Sequence, residues 1–389
     1  MKKHIILLSA AGLLFSSCGV YTKYKPATEV PDGLYGEETA AFTESTDGSP
    51  VATEDSLNRG LGGMDWRELF TDPHLQALIG QGLQNNTDYQ SAQLRVEEAE
   101  ATLLSAKLAF LPSFAFAPQG TVSSFDSHKA TQTYSLPVTA SWELDIFGRM
   151  RNAKKQSKAL YAQSRDYRQA VRTQLIAGIA NTYYTLLMLD QQLAISRQTE
   201  ETWRETVAST RALMNAGMAN ESAVSQMEAT YYQVQTSVLD LEEQINQVEN
   251  SLALLLAETP RRYERGVLAE QQFPADFSIG IPVRMLSCRP DVRSAERTLE
   301  AAFYGTNAAR SAFYPSITLS GSAGWTNSAG SMIINPGKFV ASALASLTQP
   351  LFNKGLNMAQ LKIAKAQQEE AKLSFQQALL NAGSEVNNA

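Results

Sequence analysis

Apolar residues recur at helical spacing over most of this chain. Trp66, Leu69 and Phe70 share one face, Asp72-Pro73 marks a new helix start, and Leu75, Leu78, Ile79 and Leu83 continue the i, i+3, i+4 pattern. A further helix is predicted from Asp88 to Leu111, stopped by Pro112. The period then changes from helical to two. Between Tyr134 and Ile146, the residues Tyr134, Leu136, Val138, Ala140, Trp142, Leu144 and Ile146 alternate with polar ones. That is a strand with one apolar and one polar face. Phe114 and Phe116 begin its partner, and polar Ser123 to Thr133 reads as a loop, so residues 113–147 form a long-looped β-hairpin.

From Arg149 to Ala257 the pattern is helical again. No proline interrupts it, and Asn215-Ala216-Gly217 divides it into two arms. The first arm, Arg149 to Met214, is ~100 Å long at 1.5 Å per residue. In the returning arm, from Ala219, the residues Leu239, Leu241, Ile245, Val248, Leu252 and Leu255 recur near every 3.5 residues, which predicts an antiparallel coiled-coil pair over 149–257.

The chain repeats itself. Asp88 with Ser91-Ala92 recurs as Asp291 with Ser294-Ala295, and Ala109-Phe110-Leu111-Pro112-Ser113 recurs as Ala312-Phe313-Tyr314-Pro315-Ser316, both at an offset of 203 residues. A second hairpin follows over 316–352. It has alternating Ile317, Leu319, Gly321, Ala323 and Trp325 and a return strand from Phe339 to Phe352, where Ser346 matches Ser141 and Phe352 matches Phe147. Gly355 matches Gly148, and a helix begins again. The predicted organisation is a first repeat over 64–257, a connector over 258–285 and a second repeat over 286–389. That second copy is expected to be incomplete, roughly 75 residues short of the first by the repeat's own offset.

The N-terminus adds a destination. Lys2 and Lys3 precede an apolar run from Ile5 to Phe15 and the small residues Ser16-Ser17, so residues 1–17 read as a secretory signal peptide. Cys18 follows directly, as in a bacterial lipobox, and is the expected lipid attachment site. Residues 18–63, rich in Thr, Glu, Ser, Pro and Gly, read as a lipidated tether. Lipidation leaves Cys288 without an intramolecular disulfide partner.

Charge and motifs exclude more than they add. The net charge of −6 argues against a nucleic-acid partner. His74 and His128 have no Cys or acidic cluster beside them, and there is no P-loop, nucleophile elbow or dinucleotide fingerprint, so neither an enzyme nor a metal or other cofactor is expected. After the signal no apolar run is long enough for a spanning helix, so any membrane crossing must be by β-strands. Alternation by itself also suits a half-buried soluble sheet. If the strands do cross a membrane, four per chain cannot close a barrel, because open edges in lipid leave backbone groups unpaired. Several chains must then each supply a sector, with the long helices forming a tube below.

Several stretches resemble the TolC family of outer-membrane factors, in its OprM or NodT lipoprotein branch. They are Trp66 to Leu75, Trp142-Glu143-Leu144-Asp145-Ile146-Phe147-Gly148-Arg149, Gly280-Ile281-Pro282, Arg289-Pro290-Asp291-Val292 with Ala295-Glu296, Tyr314 to Leu319, and Gln349-Pro350-Leu351-Phe352. The resemblance covers nearly all of the mature chain. It implies a mainly α fold with four transmembrane β-strands per chain, assembled in a homotrimer as a shared twelve-stranded β-barrel above an α-helical barrel. It implies a passive outer-membrane channel for small molecules, drugs or metal ions, working with a periplasmic membrane-fusion adaptor and an inner-membrane RND-type pump. The matching adaptor-docking tip is Ala216, Gly217, Met218, Ala219, Asn220 and Glu221. Glu143 and Asp145, on the polar strand face, are the lumen-facing candidates. Two rival readings lack a channel. One is a periplasmic coiled-coil scaffold or adaptor. The other is a surface-anchored binding lipoprotein that uses Ser123 to Thr133 and Asn327 to Lys338 as recognition loops.

Overall fold

The computed structural model describes residues 23–25, 65–124, 130–272, 289–329 and 332–388, with the side chains of 329, 332, 334 and 335 excepted. The signal peptide, Cys18, nearly all of the tether, much of the connector and Cys288 lie outside the described residues. The elements are α1 (Trp66–Leu69), α2 (Pro73–Asn85), α3 (Thr87–Leu108), β1 (Ser113–Phe116), β2 (Gln119–Ser123), β3 (Thr131–Leu144), α4 (Arg149–Asn215), α5 (Glu221–Leu256), a 3-10 turn (Leu268–Glu270), α6 (Pro290–Ser311), β4 (Ser316–Ala329), β5 (Met332–Thr348) and α7 (Leu356–Asn388). The chain divides into two compact units that cut across the sequence repeats. One contains Arg95–Asp166 and Asp291–Ala389, and the other Ala41–Leu94 and Tyr167–Pro290.

The first unit carries one antiparallel sheet in the order β1-β3-β4-β5, with β2 also on β3. The expected first hairpin strand is split in two. β1 ends where Phe116 faces Val138, and β2 resumes where Gln119 faces Ser135, in unbroken register. Pro118 and Pro137 sit at the gap. Neither can donate a ladder hydrogen bond, so pairing lapses there although the Ala117 N–H still reaches the Pro137 carbonyl at 3.1 Å.

Several sequence-based boundaries move, among them the end of α3, which is Leu108 and not Leu111. The central strand stops at Leu144, not Ile146, because Asp145 turns away to cap the next helix. The return strand is Met332–Thr348, not Phe339 to Phe352. Asn327 to Lys338 is therefore mostly strand, not a long recognition loop. The buried Asn327 occupies the irregularity between Thr326 and Ser328, where its side chain accepts from the Tyr134 N–H at 2.7 Å and donates to the Gln132 carbonyl at 3.0 Å. Those bonds satisfy backbone groups that a bulge would otherwise orphan.

The second unit is a helical core. Trp66, Leu75 and Ile79 meet Ile179, Tyr183, Leu186 and Leu187 of α4 and Leu252 and Leu256 of α5. Local capping sets the helix starts. Asp72 accepts from the His74 N–H at 2.8 Å, ahead of Pro73 in the first turn. Asn86 accepts from the Tyr89 N–H at 3.0 Å, while its amide donates to the Leu255 carbonyl on α5.

Candidate channel-forming elements

The β-sheet register sorts the side chains onto two faces. Directly opposed residues share a face, so one side collects Phe114, Phe116, Leu136, Val138, Trp142, Leu319, Trp325, Phe339 and Leu347, with Ala140, Gly321, Ala323, Ala341, Ala343 and Ala345 between them. The other side collects Ser135, Thr139, Ser141, Glu143, Thr318, Ser320, Ser322, Thr326, Ser342 and Ser346, with Val340 and Leu344 as apolar exceptions. The bulky apolar side chains are uncovered: Phe116 is 65%, Phe339 58% and Leu347 67% exposed. A water-soluble sheet hides that face in a core; a membrane sheet turns it to lipid. From Tyr134 to Leu144 the strand rises ~34 Å, or roughly 25 Å of height at the usual tilt of membrane barrels, which matches their apolar band. Trp325 and Phe339 meet edge-on at 5.2 Å at one end of the band, and Phe147 stacks on Tyr314 at 5.2 Å just beyond the other.

Both sheet edges are open among the described residues. β1 and β2 pair only with β3, and β5 pairs only with β4. In hydrocarbon each unpaired backbone group costs several kcal/mol, so these edges require partner strands.

The strand-to-helix joint gives the two lumen candidates more specific work than marking an aqueous side. Glu143 is gripped by Arg149, whose Nη2 lies 2.5 Å from Oε2 and 2.6 Å from Oε1. Asp145 has an almost buried side chain, 8% exposed. It accepts from the Met150 and Arg151 N–H groups, both at 2.8 Å, and from Arg151 Nε at 3.2 Å. It is the anionic cap of α4, held where helix N–H groups are unpaired and the dipole favours negative charge. Positive-φ Gly148 lets the chain turn there, as Gly355 does at the equivalent place before α7. Arg149 and Arg151 are the partners that pattern reading missed; their signal was basic residues following the carboxylates by six. The joint is also tied to the end of α3, because Trp142 Nε1 donates to the Phe110 carbonyl at 2.9 Å. In the second repeat Gln349 Nε2 donates to the matching Phe313 carbonyl at 3.1 Å.

The proposed docking tip is preformed. Gly217 has φ +74, its N–H reaches the Met214 carbonyl, and the Met218 N–H reaches the Leu213 carbonyl, both at 2.9 Å. This pair of bonds is the Schellman ending of a helix, which requires the left-handed conformation glycine adopts without strain. Asn220 then caps α5 through its bond from the Ala223 N–H at 2.9 Å, so the returning helix starts at Glu221 and not at Ala219. Ala216 and Ala219 flank Met218, which is left 73% exposed at the apex.

Two buried polar networks fasten the 258–272 segment within the second unit. Tyr183 Oη donates to Asp72 Oδ2 at 2.6 Å and accepts from the Gly266 N–H at 2.9 Å; Gln271 donates to the same Asp72 oxygen at 2.8 Å. Burial pushes the Asp72 carboxyl up, but the bonds from Tyr183, Gln271 and the helix N–H groups outweigh it and hold it below its ordinary value. Burial and the Asp72 bond push the Tyr183 hydroxyl up. Arg265 forms the second network. It meets Asp190 on α4 through two donors and Glu249 on α5 at 2.5 Å. Those bonds, led by Asp190, raise its already high value further.

The Asp72 network gives a pH prediction. A carboxyl depressed in the folded state stabilises it fully above the ordinary value of 3.8, and this is lost as pH falls through the folded value. Asp72→Ala is expected to cost roughly 2–3 kcal/mol at neutral pH, from a lost cap and lost charged hydrogen bonds. Asp72→Asn should keep much of the cap yet flatten the acid limb as pH falls below the ordinary carboxyl value of 3.8. Melting temperature against pH for the three proteins checks both; an unchanged acid limb in Asp72→Asn would remove the network from the account.

Among the described residues no helix is long and apolar enough to cross a membrane, and no His, Cys, Asp and Glu group is arranged to hold a metal ion. The sequence profile described as "Outer membrane efflux protein" matches residues 78–258 and 281–389. The chain belongs to that family. The probable outer membrane lipoprotein SilC of Salmonella typhimurium is 28% identical over 327 residues, covering 83% of this chain and 71% of SilC. The cation efflux system protein CusC of Escherichia coli K12 is 26% identical over 388 residues, covering 99% of this chain and 82% of CusC. The open-state crystal structure of the Neisseria gonorrhoeae MtrE outer membrane channel superposes with a TM-score of 0.77 at 26% identity, over 95% of this chain and 80% of MtrE. The efflux protein therefore has the TolC-type fold, a helical barrel with a β domain, and acts as an outer-membrane efflux channel. Its relatives are efflux components rather than enzymes, and the rival scaffold and binding-lipoprotein readings give way to the channel.

Proposed function

We propose that three copies of this chain form the passive outer-membrane conduit of a tripartite efflux system, carrying small molecules, drugs or metal ions, from the periplasm to the exterior. The observation that supports it most is the sheet: apolar on one face, Ser and Thr on the other, and open at both edges. Four strand positions per chain are too few to close a barrel, and adding copies pairs every edge. The Ser/Thr face would then line the water path, without a catalytic group, cofactor or bound metal of its own. Energy would come from an inner-membrane RND-type pump, coupled through a periplasmic membrane-fusion adaptor docking at residues 216–221. A covalent lipid on Cys18 would add a second hold on the membrane. Tyr24, six residues further on, rests against Phe303 and Tyr304 with ring centroids 5.6 and 6.4 Å away, which would fix the near end of that tether.

The test is expression with a cognate adaptor and pump in cells lacking their own outer-membrane channel. Intracellular accumulation of a fluorescent dye and of a divalent cation is measured, with the mass of the detergent-extracted complex. A trimer and an accumulation lowered several-fold, only when all three components are present, are expected. Met218→Asp should abolish that effect and leave the trimer intact. A water-soluble monomer, or export independent of adaptor and pump, would overturn the proposal.

A further inference from the structure

Charge is scarce on the strands. Among the residues of β1 to β5 only Glu143 and Lys338 are charged. Both lie on the Ser/Thr face: Glu143 faces Thr318, and Lys338 faces Thr326, eight residues further along β4. That separation is ~27 Å of strand, well beyond the ~10 Å over which a charge acts in salt solution. The two therefore stand at opposite ends of the sheet and do not cancel each other. Glu143 is at the helix end, and its neighbours across the sheet, Thr318 and then Ser346, are neutral.

Arg149 supplies the countercharge. Its Nη2 reaches both carboxylate oxygens of Glu143, at 2.6 and 2.5 Å, and its Nε reaches Oε1 at 3.2 Å. The other basic residues at the start of α4 are engaged elsewhere: Arg151 with Asp145, Lys154 over the Phe110 ring at 5.6 Å and Lys155 over the Tyr304 ring at 5.3 Å. In the cleft where the pair sits, lined also by Ala106, Ala109, Ser113 and Ser141, it contributes the only charges among the described residues. The second repeat builds the same joint without it. Thr348 and Leu356 stand at the matching places, yet β5 still leads into α7 through a positive-φ glycine. The side chains of Arg149 and Glu143 are 54% and 31% exposed, so the pair adds little to stability. What it changes is the field. Charges lining a water-filled pore select by sign, and a lone carboxylate here, repeated once per copy, would draw cations and repel anions.

We propose that Arg149 is a selectivity-setting residue: by neutralising Glu143 it keeps the helix end of the strand lumen indifferent to the sign of the cargo's charge. Small molecules that are cationic, anionic or uncharged then meet the same electrostatic conditions there. The proposal rests on the channel reading, in which the Ser/Thr face lines the water path, and deepens it by naming the cargo class and the residue that sets it.

Thiol modification of the full chain in outer membranes reads the local field. A Cys288→Ser background carries either Ser320→Cys, diagonal to Glu143 on the Ser/Thr face, or Ser135→Cys near the other end. A cationic trimethylammonium-ethyl and an anionic sulfonatoethyl methanethiosulfonate are compared by rate, each divided by its rate with free mercaptoethanol. At Ser320→Cys the cation-to-anion ratio should lie within about twofold of unity when Glu143 and Arg149 are both present. Arg149→Gln should raise it roughly two- to fivefold, the effect of carboxylates ~7–8 Å away in water and salt. Glu143→Gln should lower it by a similar factor, and the double variant should restore it. Arg149→Lys, which keeps the charge but not the fork, should leave it unchanged. Ser135→Cys, ~27 Å along the strand, should respond to none of them. Opposite shifts that cancel in the double variant are not the signature of a structural role, and either single variant carries the test if the other fails to assemble. A ratio that neither Arg149→Gln nor Glu143→Gln moves, with Ser320→Cys reacting, overturns the proposal and leaves the channel reading intact. A Ser320→Cys that neither reagent reaches in the assembled oligomer overturns both.

Discussion

Arg265→Ala will destabilise the helical unit by roughly 3–5 kcal/mol, the usual cost of leaving a buried charge without its partner. Arg265 is 14% exposed and Glu249, which it meets at 2.5 Å, is 9% exposed in its side chain. Removing the guanidinium strands that carboxylate among apolar neighbours on α5 and frees Asp190 on α4. The three residues come from three separate stretches, so the same change also unfastens the segment around Tyr263, whose carbonyl takes a bond from Arg265 at 3.3 Å. Arg265→Lys should recover only part of the loss, because one ammonium cannot span Asp190 and Glu249 as a planar fork does. Thermal unfolding of detergent-extracted protein, followed by circular dichroism, reads the difference. A melting curve for Arg265→Ala within ~0.5 kcal/mol of the parent, the range of ordinary surface changes, would reduce the network to decoration. Limited proteolysis between Glu258 and Gln272 gives a local check, with cleavage expected to accelerate in Arg265→Ala before the rest of the unit melts.

Arg265 also shows where reading the chain stops. Its partners lie 75 and 16 residues away, and Asp72 and Tyr183 are 111 residues apart; no local rule brings such pairs together. What local chemistry governs was legible. The sheet announced itself because lipid and water impose opposite demands on successive residues, and β3 and β4 obey that at almost every position. Gly217 marked the tip because a helix reversal needs a left-handed residue. The repeat was visible because the same joint is built twice, with Gly148 and Gly355 as its turns. Asp145 misled for a physical reason. It continues the strand's alternation faithfully, yet its carboxylate has a better use at the N-terminus of α4, so the strand ends at Leu144, two residues before the expected Ile146. The split between β1 and β2 had its signal in Pro118 and Pro137, but its meaning depended on a register that places them at the same point of the ladder.

That point of the ladder sets the other large effect. Gly324→Val will prevent the sheet from forming, and the chain will fail to reach the outer membrane as an oligomer. Gly324 faces Pro137 across the β3–β4 seam, and a Cβ there would lie 2.2 Å from the Leu136 carbonyl oxygen and 2.5 Å from Pro137 Cα. These are backbone atoms, which no rotamer change can move aside, so the two strands must separate. In a soluble protein such overpacking costs about 3 kcal/mol or more. Here the cost compounds, because strands parted within lipid leave ladder groups with no water to bond, at several kcal/mol each. Gly321→Ala is the control. Its added Cβ meets the Ser342 carbonyl oxygen at 3.3 Å, a contact that a few tenths of an ångström relieves. Outer-membrane fractions run without heating should show oligomer for the parent and Gly321→Ala, and none for Gly324→Val. An unheated oligomer of normal abundance from Gly324→Val would mean that β3 and β4 do not approach this closely in the assembled channel.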